Sequence, residues 1–406
     1  MMKKVFECLM EKQEIKQTLE FIHQDENQTL KEQIQLTEIP APPFKEQERA
    51  VQFQEMLIQY GLEHVHIDEE GNVFGIRKGA GNGPKLVISA HLDTVFPEGT
   101  DTTVSEKEGK YFAPGIGDDT RGLAEVLSLV RALTQSNVDT VGDIIIGGTV
   151  GEEGAGDLRG IKAYFDKNNA DGYISIDGPN MDVITYLGTG SYRYTITYTG
   201  PGGHSFADFG NPSATHALGR AIAEISNIET TSDPKTTFSV GPITGGSSVN
   251  AISETASMQV DLRSNSKIEL DRLDEKFQEV VKEACEAENR RWDSNALTLD
   301  IHRFGNRPPA KQSEDLPIVS ALQEAIAAVG ESPVLAGPSS TDANYPMSLG
   351  IPSITSGTGG QAGGAHTLQE WYNPKDGYLA VQKNFLLILG LVGIKDEIQP
   401  ILTIRS

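Results

Sequence analysis

Of the 406 residues only two are cysteine, Cys8 and Cys285, and they lie far apart in the chain. That excludes a disulfide framework and any metal site built on paired cysteines. Two isolated thiols fit a reducing compartment. Basic residues are also scarce: 34 Lys and Arg stand against 57 Asp and Glu, a formal net charge of −23. A surface of that sign repels phosphate backbones and anionic headgroups, so neither a nucleic acid nor a membrane surface is expected as a partner. No apolar run approaches the roughly 18 residues that a membrane span needs. The opening stretch carries Lys3 and Lys4, but Glu7 and Glu11 interrupt the apolar stretch of a signal peptide. A cytoplasmic protein is the expectation. No G-x-G-x-x-G motif follows a strand and opens a helix. The glycine-rich stretch Gly357–Gly364 lacks the Lys-Ser/Thr ending of a phosphate-cradling loop. Both absences argue against a nucleotide enzyme.

What is present is an ordinary globular mixture, 38% hydrophobic and 22% charged, which argues against wholesale disorder. The length suits two or three domains. Helical spacing runs from about Glu11 to Tyr60, broken at Ile39-Pro40-Ala41-Pro42-Pro43, where successive prolines cannot stay helical. Within residues 49–60, Val51, Phe53, Met56, Leu57 and Tyr60 share one side. A hairpin is predicted over 64–68 and 72–77. Short continuous apolar runs at 85–90, 143–150 and 172–176 predict strands covered on both faces. Between the first two lies a helix over 120–134, with Leu123, Val126, Leu127, Val130 and Leu133 at helical spacing. That alternation predicts a parallel or mixed α/β sheet.

From Ser191 the pattern changes. Tyr192 to Tyr198 alternates aromatic and β-branched residues with polar ones, as in an antiparallel sheet with one wet face. A helix over 212–226, strands near 236–241, 255–263 and 297–303, and a charged helix over 266–288 complete a small α+β domain. Helix 315–329, strand 351–355 and helix 375–391 return to α/β character. The expected fold is therefore α/β, a mixed, mostly parallel sheet flanked by helices, interrupted by an inserted α+β domain. The expected segments are residues 1–189, 190–304 and 305–406.

The polar residues fall where chemistry gathers in such sheets, beyond the carboxyl ends of the strands. His91-Leu92-Asp93 follows the first apolar strand, Gly151-Glu152-Glu153-Gly154 the second and Asp177-Gly178 the third. Gly117-Asp118-Asp119 precedes the helix at 120. Each cluster alone reads blandly, as a strand-end histidine, an N-cap or a solvated turn. Together they bring an imidazole and several carboxylates to one sheet edge. Like charges cannot converge there uncompensated. With Lys and Arg scarce nearby in the sequence, a divalent metal pair is the natural counter-charge. A distant glycine-rich loop ending in His366 is suited to deliver one more ligand.

At this point the ordered motifs resemble a family. Ser89-Ala90-His91-Leu92-Asp93-Thr94 is similar to the H-x-D motif of the dinuclear zinc exopeptidases that include peptidase T, glutamate carboxypeptidase, aminoacylase and succinyl-diaminopimelate desuccinylase. Gly117-Asp118-Asp119-Thr120-Arg121-Gly122 resembles their G-x-x-D-D-K-G element, with Thr-Arg where Lys and a small residue are usual. Gly151–Gly154, Ile176-Asp177-Gly178 and Gly364-Ala365-His366-Thr367 follow in the family's order. The resemblance is closest in look to peptidase T-like peptidases and implies two zinc ions per subunit, with cobalt or manganese as substitutes. It implies His91 on one zinc, His366 on the other, Asp118 bridging both, and Glu153 and Asp177 completing the ligands. Asp93 would accept the second N–H of His91, and Glu152 would be the general base acting on a metal-bridging water. The Asp118–Asp119 peptide is expected to be cis.

The inserted domain carries Gly200-Pro201-Gly202-Gly203-His204-Ser205, Ser248-Val249-Asn250-Ala251-Ile252 and Asp261-Leu262-Arg263, which resemble the family's G-x-x-x-H-S, V-N-x-I and D-x-R elements. The implied roles are His204 donating to the tetrahedral oxyanion, Asn250 holding the substrate backbone and Arg263 pairing with a substrate carboxylate. The domain would act as a lid and dimerisation domain of a homodimer, with His204 and Asn250 delivered across the subunit interface. Asp101, His216, His302 and Asp342 read as structural, and His64 and His66 as surface residues.

The function implied is an aminopeptidase-like metallopeptidase cleaving di- or tripeptides, because Asp177 stands where carboxypeptidases and deacylases tend to carry Glu. A zinc-dependent deacylase or carboxypeptidase acting on an N-acyl amino acid is the alternative. A binding protein that kept the fold without catalysis is disfavoured by the presence of Glu152 and all five implied ligands.

Overall fold

The computed structural model describes residues 2–405, which divide into two compact units. One runs up to Gly188 and resumes at Lys311; the other spans Thr189–Ala310.

The first unit is built on an eight-stranded sheet flanked by helices. In spatial order its strands are Glu63–Ile67, Val73–Arg77, Asp143–Thr149, Lys85–His91, Gly172–Ile176, Ser353–Ser356, Val183–Thr185 and Val334–Leu335. The four from Asp143–Thr149 to Ser353–Ser356 are mutually parallel. The first two form an antiparallel hairpin with each other and pair antiparallel with the parallel block. The parallel strands are buried on both faces, as their unbroken apolar runs require. The helix Thr120–Gln135 packs on them, burying Leu123, Val126, Leu127, Val130 and Leu133. The helix Tyr378–Val392, apolar almost all round, is buried between its neighbours.

Three details differ from the sequence pattern. The N-terminal helical stretch is three helices, Met2–Glu11, Gln13–Gln24 and Glu26–Thr37, because Lys12 adopts an extended backbone and Asp25 closes one helix and caps the next. The break at the prolines is as expected, and the next helix is Gln47–Gln59, but Val51 points outward at 39% exposure while Phe53, Met56 and Leu57 are buried. The strand expected at 351–355 begins at Ser353, since Pro352 has no N–H for the ladder; its carbonyl still accepts the Tyr173 N–H at 3.0 Å. The sequence pattern also missed a second, four-stranded sheet in this unit, ordered Gln361–Gly363, Trp371–Asn373, Lys110–Phe112 and Ser105–Lys107. Strands of three residues leave no readable periodicity.

The second unit is a four-stranded antiparallel sheet, ordered Thr236–Gly245, Thr255–Ser264, Gly190–Thr199 and Thr298–Arg307. The last strand continues past a bulge between Arg303 and Gly305. Along Gly190–Thr199 burial alternates: Tyr192, Tyr194, Ile196 and Tyr198 face the core, with Arg193, Thr195 and Thr197 on the wetter side. The helices Ala214–Ile225 and Lys267–Arg291 cover the core face. Ser266 caps the longer helix through the Glu269 N–H, and Arg290 and Arg291 sit at its negative C-terminal end. No described helix is long and apolar enough to cross a membrane.

Leu127 is fully buried in the first core. Leu127→Ala is expected to cost about 2–5 kcal/mol in denaturant unfolding, whereas Val51→Ala on the exposed side should stay within about 0.5 kcal/mol. Equal losses would contradict the assigned faces.

Candidate metal centre and its surroundings

The four parallel strands end on the same edge of the sheet, and their exits carry His91, the turn to Glu152 and Glu153, Asp177 and the start of the loop to His366. The edge is built from the backbone outward. Asp93 is fully buried, and its two carboxylate oxygens accept the N–H groups of Glu152 at 3.0 Å and Glu153 at 2.8 Å. It thereby locks the turn after one strand to the turn after its neighbour. His91 Nδ1 lies 2.9 Å from the carbonyl oxygen of Asp93 and 3.6 Å from its nearer carboxylate oxygen. Asp93 therefore faces the ring with both its carbonyl and its carboxylate.

Asp118 and Asp119 divide their labour. Asp119 is the N-cap of the helix Thr120–Gln135, accepting from Gly122 N at 3.2 Å and from His91 N at 3.0 Å. Asp118 turns the other way, and the peptide between them is cis. His91 Nε2 lies 3.0 Å from one oxygen of Asp118, and His366 Nε2 lies 3.1 Å from the other. His366 Nε2 also lies 2.7 Å from Glu153 Oε1. Ligand atoms of His91, Asp118 and Glu153 fall within 4.8 Å of one another, a spacing that could hold a metal ion. Asp177 is half-buried and lies outside this group.

The electrostatics follow. Burial pushes the Asp177 carboxyl up to about 7, aided by the Asp118 charge. Burial likewise drives Asp119 well above its usual range. Burial opposes ionisation of Asp118 too, but bonds from His366 and His91 outweigh it and hold Asp118 far below. His366 rises to about 10 through its bonds to Asp118 and Glu153. Burial would lower His91, yet Asp118 and Asp93 raise it well above normal. Charge on the two imidazoles would offset that of the carboxylates. Imidazole nitrogens with carboxylate oxygens are the donors that zinc prefers, so the residues fit a divalent cation chemically.

The scarcity of Lys and Arg read from local sequence needs correcting. Arg49, Arg121 and Lys383 are all buried in this unit. Arg49 donates to the Ile39 and Leu92 carbonyls, Arg121 to those of Thr358 and Gly377, and Lys383 to those of Met181 and Gly357. They brace the loops behind the edge. Arg121, the Thr-Arg departure, is thus a supporting residue, and it also reaches Glu26. Asp342 accepts from Thr149 Oγ1 at 2.5 Å. Glu370, which sequence reasoning passed over, is buried and accepts three N–H bonds from Gly115, Gly117 and Asp118; burial nonetheless lifts it to about 7. Its one sequence signal is its place four residues after His366.

In the second unit, Gly203–His204 pairs with Ala251–Ile252, and Ser205 N donates to the Asn250 carbonyl at 2.9 Å. His204 and Asn250 are therefore neighbours. His204 is exposed, and its Nδ1 accepts N–H bonds from Phe206 and Ala207 at 3.2 and 3.3 Å. In the neutral ring that places the proton on Nε2 and makes the outer edge a donor. Arg263 is half-exposed and bonded to Asp261 at 2.6 Å. His216 lies beside Glu288, and His64, His66, His302 and Asp101 are exposed.

The profile of the family described as "Peptidase family M20/M25/M40" matches residues 87–388. A Staphylococcus aureus (strain Mu50) protein named "Probable succinyl-diaminopimelate desuccinylase" is 25% identical over 285 residues, 60% of this chain and 68% of that protein. Among solved structures, aminopeptidase PepT from Bacillus cereus aligns with a TM-score of 0.72 at 20% identity, covering 89% of this chain and 98% of that one. A tripeptidase from Staphylococcus aureus aligns equally well, TM-score 0.72 at 22% identity, covering 89% and 97%. A Bacillus subtilis protein described as a dinuclear metal-binding peptidase of the M20 family aligns with a TM-score of 0.66 at 18% identity, covering 90% and 98%.

The protonated imidazoles give a direct test. His366, raised to about 10, carries its proton at neutral pH in the cation-free chain, so a cation bound there must displace it. Calorimetric titration of zinc in buffers of different ionisation enthalpy is expected to show net proton release. Affinity should fall as pH is lowered from about 8 to 6, because protons then compete more strongly for the same donors. Cation binding that is indifferent to pH would place it elsewhere on the molecule.

Proposed function

The chain belongs to peptidase family M20/M25/M40, and from that footing we propose that it is a dinuclear zinc-dependent peptidase that removes a residue from di- or tripeptides. The observation that carries the reading is the convergence of His91, Asp118, Glu153 and His366 at the carboxyl edge of the parallel sheet. His91, Asp118, Glu153, Asp177 and His366 would hold the two cations. Zinc suits the donors, and cobalt or manganese accept them as well. When bound, the cations supply Lewis acidity, polarising the scissile carbonyl and making the attacking water more acidic.

The remaining steps belong to the chain. Glu152, buried at the same edge, takes a proton from the attacking water as the C–O bond forms. It returns that proton to the leaving nitrogen as the C–N bond breaks. Asp93 holds the Glu152 and Glu153 main chain in register for this transfer. His204, with its outer nitrogen a donor, stabilises the oxyanion. Asn250 holds the peptide backbone, and Arg263 receives the substrate carboxylate. The second unit acts as lid and dimerisation domain of a cytoplasmic homodimer, each subunit lending His204 and Asn250 to its partner.

A second reading has its own support, since curated relatives are named for removing a succinyl group. It keeps the cations and the base and changes the substrate to an N-acyl amino acid. Incubating the zinc-loaded protein with tripeptides, N-acetyl and N-succinyl amino acids separates the two. Release of an N-terminal amino acid supports the peptidase, and release of acetate or succinate alone supports the deacylase.

Glu152→Gln is expected to keep its cations, measured by elemental analysis, and to lose about 10²–10⁴-fold in kcat. Wild-type turnover in that variant would remove Glu152 from the mechanism. Light scattering at assay concentration should report a dimer; an active monomer would overturn the exchange of His204.

A further inference from the structure

Asp118 is the residue on which the candidate centre turns, because both imidazoles bond its carboxylate. Yet it stands on neither a strand nor a helix. It lies in an irregular turn, residues 114–119, between the short strand Lys110–Phe112 and the helix Thr120–Gln135. Something outside that turn must fix its main chain.

Glu370 does so. Its Oε2 accepts the Gly115 N–H at 2.9 Å, and its Oε1 accepts those of Gly117 at 2.7 Å and Asp118 at 2.9 Å. Closely spaced main-chain N–H groups in a turn form a concavity suited to an anion, and here the anion is a side chain of the same protein. The fit is close: a Cβ on Gly117 would meet Glu370 Oε1 at 3.2 Å. Gly115 has φ +78°, and a Cβ there would meet the Thr94 methyl at 2.7 Å. The main chain joins in, with Ala113 N donating to the Glu370 carbonyl at 3.2 Å.

His366 and Glu370 sit on one compact turn. Thr367 donates to the Gly364 carbonyl through both N–H and hydroxyl, and Glu370 N donates to the Thr367 carbonyl. His366 has φ +64°, and its ring reaches Asp118 and Glu153. One short segment therefore grips Asp118 twice, at the carboxylate through His366 and at the amide through Glu370.

We infer that Glu370 is a positioning residue for the candidate metal centre, fixing the Asp118 main chain so that its carboxylate stands between His91 and His366. The docking of the His366 segment and the placement of Asp118 then become one event. The part concerning metal rests on the proposed function; the part concerning the Asp118 turn does not.

E370Q tests both. The amide keeps the volume but presents an NH2 group to N–H donors, so it cannot accept all three bonds. Three measurements are made on full-length protein: hydrogen exchange at Gly115, Gly117 and Asp118, cobalt titration followed by visible absorption, and thermal unfolding without cations. Exchange at those amides is expected to rise by about tenfold or more while the strand Lys85–His91 stays protected. Cobalt affinity should fall by about 10–100-fold with an altered absorption band. Unchanged exchange at the three amides overturns the inference. So does a wild-type cobalt spectrum and affinity accompanied only by a lower Tm, since that is a purely structural role. If the wild-type chain itself takes up no cobalt, the metal reading fails, and the exchange comparison alone decides whether Glu370 places the Asp118 turn. E370D keeps the charge one methylene short and carries the same measurements if E370Q does not fold; faster exchange with weakened cobalt binding supports the inference, and wild-type values overturn it.

Discussion

Ionised carboxylates brought together out of water repel one another and lose their hydration, and each remains charged only if something nearby compensates it. This constraint organises the first unit. Asp93, Asp118, Asp119, Glu152, Glu153, Asp177 and Glu370 gather at one sheet edge, and they are held in more than one way. Asp93 and Glu370 rest on main-chain N–H groups. Asp118 and Glu153 rest on imidazoles. Asp177 and Asp119 are pushed by burial toward the protonated form. A divalent cation would replace the protons with a stronger and more localised charge.

The scaffold makes this crowding affordable in a second way. Three buried cations, Arg49, Arg121 and Lys383, hydrogen-bond to carbonyls of the loops behind the edge. Those bonds stiffen loops that otherwise have no regular structure. The backbone of the edge is thus braced by side chains other than its carboxylates. Rigid supporting contacts of this kind keep ligating groups within the narrow geometry that metal sites need.

Much of this was legible beforehand, for identifiable reasons. Parallel strands buried on both faces are continuous apolar runs, so Lys85–His91, Asp143–Thr149 and Gly172–Ile176 stood out, and the polar residues after each marked the edge. The alternating Tyr192–Tyr198 run exposed the antiparallel sheet in the same way. What was hidden came from contacts distant in sequence. The four-stranded sheet that frames His366 is made of three-residue strands with no periodicity. Val51 fits a helical stripe by spacing, yet the neighbouring elements leave that position uncovered. The bonds from the Asp93 carboxylate to the Glu152 and Glu153 amides tie together two turns 59 and 60 residues apart, and no local pattern announces them.

The sequence by itself determined the fold class, the edge at which the polar residues gather and the kind of donors present there, because side-chain periodicity and chemical type are local properties. Only the tertiary structure decided which donors share a partner. Asp118 meets His91 across 27 residues and His366 across 248, and Glu370 reaches back over 252 residues to the Asp118 amide. Contacts of that span depend on how the strands are ordered and where the loops close, and a linear pattern carries no trace of either.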